Sequence, residues 1–138
     1  MKRISLLIAT LVFSSSALSQ PISVRCKFST GQVTEFDKGR PNTKRSGDLG
    51  DVIFDQIDIR KQTARMIGNA GAETLPVVEG MNSVHLLEIT GTGNLNVTTI
   101  FGIKNINESQ FPVVHSRHVT LLSGGPLPSQ YLGTCTRL

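Results

Sequence analysis

From residue 20 onward the chain alternates apolar and polar residues and is broken by Gly, Asn and Pro roughly every eight to twelve residues, a pattern that constrains it more than any other feature. Successive side chains of a strand point to opposite faces, so this pattern packs one face of a sheet and wets the other. Helical periodicity is hard to find in the same stretch. The expected fold is therefore all-β: an antiparallel meander of about eight or nine strands, closed as a small β-barrel or folded as a β-sandwich.

The segments can be read in order. Ile22, Val24, Cys26 and Phe28 alternate with polar neighbours, and Thr30-Gly31 is expected to turn the chain into a partner strand over 32–36. Residues 37–50 read as a mobile polar loop carrying Lys38, Arg40, Lys44 and Arg45. Strand character resumes over 51–59, 63–67 and 75–78. The clearest hairpin joins 83–90 to 95–101 through Gly91-Thr92-Gly93-Asn94. Val84, Leu86, Glu88 and Thr90 share one face of its first strand, and Asn96, Thr98 and Ile100 share one face of its second. A long strand over 111–122 follows. The stretch Gly124-Gly125-Pro126-Leu127-Pro128 reads as a stiff connection to the last strand.

Residues 1–19 place Lys2 and Arg3 ahead of an apolar run that ends at Phe13, followed by small residues closing on Ala17-Leu18-Ser19. This is the pattern of a secretory signal peptide, cleaved before Gln20 to leave a single domain over 20–138. A membrane-spanning helix needs about 20 apolar residues, and this run is about half that. No membrane anchor is expected after cleavage. Loss of Lys2 and Arg3 takes the formal charge from +4 to about +2, and the chain has no Trp and one Tyr. That excludes the strongly basic, aromatic-studded face of a nucleic-acid binder. The expected address is periplasmic or secreted.

Only two cysteines occur, Cys26 and Cys135, and both reach the oxidising compartment such a leader implies. They are expected to form a disulfide between first strand and last. Close C-x-x-C spacing, which tunes reactive thiol pairs, is missing.

Chemical potential concentrates in His115-Ser116-Arg117-His118. In a regular strand His115 and Arg117 point to one face and Ser116 and His118 to the other, so the two histidines cannot share a metal without a bulge. The expected binding constellation is His115 with Arg117, on an accessible sheet face opposite a carboxylate such as Glu88. The bland alternative is a set of polar residues satisfied across strands. No nucleophile elbow, phosphate loop, zinc motif or calcium loop occurs, and neither catalytic residues, metal nor cofactor are expected. Asn96-Val97-Thr98 and Asn107-Glu108-Ser109 match the glycosylation sequon, which means nothing in a bacterial chain. The cations from Lys38 to Arg45 could steer an acidic partner, or simply solvate a loop.

Ile67-Gly68-Asn69, Thr98-Thr99-Ile100-Phe101, His115-Ser116-Arg117-His118 and Pro128-Ser129-Gln130-Tyr131, with Gly133 and Cys135, resemble small exported bacterial proteins of uncharacterised function. The resemblance implies export, a β fold and the terminal disulfide, and carries no activity. Lipocalins are similar in strand count alone, because their early G-x-W signature requires a tryptophan. The functional expectation is an exported, non-enzymatic β domain that binds a protein, glycan or small molecule, an enzyme inhibitor being one variant. The alternative is a small periplasmic enzyme with His115 as acid or base and Arg117 holding an anionic substrate.

Overall fold

A computed structural model describes residues 20–68 and 71–138; the expected leader, 1–19, lies outside the described residues. Nine strands form among the described residues: β1 (Ile22–Asp37), β2 (Arg40–Ser46), β3 (Gly50–Asp58), β4 (Thr63–Gly68), β5 (Gly71–Glu79), β6 (Ser83–Ile89), β7 (Leu95–Phe101), β8 (Gln110–Thr120) and β9 (Pro126–Arg137). Eight of them close an antiparallel barrel, β1-β3-β4-β5-β6-β7-β8-β9, with β9 pairing back onto β1. The remaining strand, β2, pairs with the far half of β1 and extends as a ribbon beyond the barrel rim. The all-β expectation holds, and the barrel is its form.

Three local expectations are corrected. The chain does not turn at Thr30-Gly31; β1 continues to Asp37, and the hairpin turns at Lys38-Gly39, with φ of 49° and 79°. Positive φ at both central residues gives a turn whose twist suits a two-residue hairpin. Residues 37–50 are therefore largely strand, not loop. The side-chain hydrogen bonds across this hairpin are polar, Thr34 with its register partner Thr43 and Glu35 diagonally with Lys44, so no hydrophobic alternation betrays it. Pro41, Lys44 and Arg45 suit this free edge, because charge and proline discourage pairing with another sheet. Likewise Pro126 and Pro128 belong to β9, paired with Thr120 and His118 of β8. The β1 ladder reaches only to Ser129, so beyond it β9 has an open side where a missing N–H costs no hydrogen bond.

Bulges decide what faces inward. Between Phe28 and Thr30 the β1–β9 register shifts, and the buried positions of β1 change from Val24, Cys26 and Phe28 to Gly31. Gly31 is needed there: a Cβ would stand 2.4 Å from the Tyr131 ring. In β3, Gln56 takes a φ of 50° at a second irregularity, so Phe54 and Ile57 are both buried although three positions apart.

The interior is filled by Phe28, Phe54, Phe111, Ile57, Leu75, Leu86 and Ile100 with smaller neighbours, a packed core rather than a ligand cup. One pole is closed by an apolar plug. Ile103, from the β7–β8 connection, is fully buried there, and the Arg137 guanidinium donates to the carbonyls of Ile103 (3.0 Å) and Asn105 (3.2 Å) while lying 5.1 Å over the Phe111 ring. At the seam between first and last strands, Cys26 and Cys135 sit directly opposite each other and form the expected disulfide. Such a bridge is compatible with an oxidising compartment.

Candidate functional site: the polar pole of the barrel

The opposite pole, where β1 and β2 run past the rim, has a polar interior. Antiparallel register aligns Glu88 of β6, Asn96 of β7, Arg117 of β8 and Ser129 of β9 in one cross-strand row. One rung deeper stand Leu86, Thr98, His115 and Tyr131, and below them the wall turns apolar with Val84, Ile100 and Val113. The strand alternation that packs the core therefore also brings these polar groups inside.

Each sequence-predicted residue can be placed. His115 and Arg117 face inward together, while His118, on the opposite side of β8, is exposed. His115 is not on an accessible sheet face, however. It is only 8% exposed, its ring centroid lies 5.6 Å from that of Phe28 and 6.3 Å from that of Tyr131, and its Nδ1 shares a 2.8 Å hydrogen bond with the Thr98 hydroxyl. Burial, helped by the charge of Arg117, pushes its pKa down from 6.5 to about 4. The imidazole is a neutral core group at physiological pH. Glu88 does not face the pair directly. Asn96 stands between and donates from Nδ2 to Glu88 Oε2 at 2.7 Å.

Asn96 and Thr98 are the members that motif reading missed. Their signal was the alternation itself, which puts both on the face of Ile100; a polar residue on a buried face needs a partner. Thr98 has one in His115. Asn96 is 6% exposed, and its Oδ1 is buried with no hydrogen-bond partner. Arg117 is likewise without a carboxylate: the four ion pairs among the described residues are Lys44 with Glu35, Lys61 with Asp58, Arg65 with Asp55 and Lys104 with Glu79. The Tyr131 phenol is held below its ordinary pKa, chiefly by its hydrogen bond with Ser46 at the end of β2. The ribbon is less cationic than its sequence suggests, because Glu35 neutralises Lys44 across the hairpin. On the ribbon side of the barrel, two adjoining hollows of about 280 and 220 Å³ share Gln32 and Gln130.

The depressed pKa of His115 has a consequence for stability. An unfolded chain protonates this imidazole near 6.5, whereas the folded one resists until about 4, so its contribution is complete above pH 6.5 and is lost as pH falls through that window. At 1.36 kcal/mol per pKa unit the loss is on the order of 3 kcal/mol. Urea midpoints at pH 7.5, 5.5 and 4.5 should fall more steeply for the native protein than for His115→Gln. Parallel pH curves would show that the histidine is not the sensor.

No protein family, curated relative or solved structure matches the chain. Function has to be argued from the pole.

Proposed function

We propose that the chain is an exported, non-catalytic binding domain that engages its partner at the polar pole, with Arg117 as the principal contact. One observation carries this reading: among the described residues Arg117 stands in the pole with no carboxylate in ion-pair reach, beside an asparagine whose carbonyl is unpartnered. A guanidinium left without a carboxylate inside a protein rim is suited to an anionic group brought by something else. The enzymatic alternative is less favoured because His115, its acid or base, is sealed and neutral down to about pH 4. His115 instead shapes the floor under Arg117.

The disulfide and the leader-like 1–19 segment support a periplasmic or secreted address. The partner belongs to the protein, glycan or small-molecule classes, and inhibition of an enzyme would be one outcome of binding. The test is capture from envelope and culture-supernatant extracts by immobilised wild-type domain and by Arg117→Gln, read by mass spectrometry and chromatography of the eluted material. A component retained at least tenfold better by the wild type is expected. An identical set of retained components on both surfaces would reject the pole as the binding site.

A further inference from the structure

Building on the binding reading of the pole, we infer that its ligand is zwitterionic: a small molecule presenting a carboxylate and an ammonium a few ångströms apart, as an α-amino acid or a short peptide does. The register places three side chains of different electrical character in one row, the carboxylate of Glu88, the carboxamide of Asn96 and the guanidinium of Arg117. Neighbouring strands are about 4.8 Å apart, which separates the Glu88 and Arg117 backbones by about 10 Å. The opposite charges therefore do not satisfy one another, and no ion pair joins them among the described residues.

Asn96 makes the row directional. Its Nδ2 is committed to Glu88, which fixes the amide and leaves Oδ1 as an acceptor with nothing to accept from. An ammonium would find two acceptors at that end of the row, Glu88 and Asn96 Oδ1, while a carboxylate would find the fork of Arg117 at the other. A plain anion would use Arg117 alone and meet the field of Glu88. A plain cation would meet Arg117. A ligand with both charges is the one that complements the whole row, whose two charged members, Glu88 and Arg117, are both only partly buried. The floor beneath is closed by Thr98, His115 and Tyr131, so the site takes a small head group rather than a long chain threaded into the barrel.

The test is titration of ¹⁵N-labelled mature domain, with calorimetry, using alanine, alanyl-alanine, acetate, methylammonium and N-acetylalanine as probes. Alanine or alanyl-alanine should bind at least tenfold more tightly than any of the singly charged or blocked compounds and should move the Asn96 side-chain amide resonance. Which of the two is tighter identifies a free amino acid or a peptide as the source. Arg117→Gln and Glu88→Gln should each remove that tenfold preference, and Arg45→Gln, on the outer ribbon, should leave it unchanged. Folding of each variant is checked by its amide spectrum, and Asn96→Asp supplies a second route: its added charge should weaken acetate and strengthen methylammonium. Equal affinity for acetate or N-acetylalanine, or no shift with either alanine or alanyl-alanine at about 10 mM, overturns the zwitterion assignment. If capture from extracts still depends on Arg117 in that case, the pole remains the binding site and only the ligand class is wrong.

Discussion

Gly133→Ala is expected to cost the domain about 3 kcal/mol or more and to lower its urea midpoint sharply. At this point β9 lies against β1 so closely that a methyl group would stand 2.0 Å from the Lys27 carbonyl oxygen and 2.8 Å from the Phe28 Cα. Both are main-chain atoms of the paired strand and cannot rotate aside. Overpacking of side chains against side chains typically costs 1–3 kcal/mol, because rotamers share the strain. Here the ladder of the closing seam must open instead, one residue from the bulge that re-aims β1. Gly125→Ala makes a suitable control, since an added Cβ there meets nothing within 4 Å and the backbone has no left-handed φ. Urea unfolding of the two variants should separate them clearly. A Gly133→Ala midpoint equal to that of Gly125→Ala would mean that β1 and β9 can spread at the seam without loss.

That seam shows how far a linear reading goes. Strands 83–89 and 95–101 were legible because Val84, Leu86 and Ile100 recur at period two between turn residues. β2 was invisible to the same method. Its residues, Arg40–Ser46, are polar apart from Pro41, and what makes them a strand is register with β1. Bulges hide in a similar way: after Phe28 and again at Gln56 the buried parity changes by one residue, and nothing in the residues on either side announces it. The pole was half legible. Alternation alone puts His115 and Arg117 on one face, yet whether that face is inside or outside depends on closure of the sheet. Closure converts a presumed surface histidine into a core group hydrogen-bonded to Thr98 and raises Asn96 from a sequon residue to the centre of the polar row.

Removing the Cys26–Cys135 bridge, as Cys26→Ala with Cys135→Ala, should lower stability by about 4–5 kcal/mol while preserving the β fold. The bridge spans 109 residues of sequence and so closes nearly the whole described domain. In the chain-entropy treatment its benefit lies in the unfolded state, where a loop of about 100 residues is worth about 4.7 kcal/mol. The native ladder between β1 and β9, which runs from Val24 opposite Arg137 to Val33 opposite Ser129, is present with or without the bond and does not replace that contribution. Alanine is the right replacement, because both cysteines are fully buried and a serine would add an unpaired hydroxyl to the core. A domain of this size has a total stability of roughly 5–15 kcal/mol, so the loss would consume a large share of it. The expected observation is an unchanged far-ultraviolet circular dichroism spectrum at low temperature together with a much lower urea midpoint, and the same shift on reduction of the native protein. If the double variant unfolds at the native midpoint, the unfolded chain is already compact enough to hold its ends together, and closure of the barrel does not depend on the bridge.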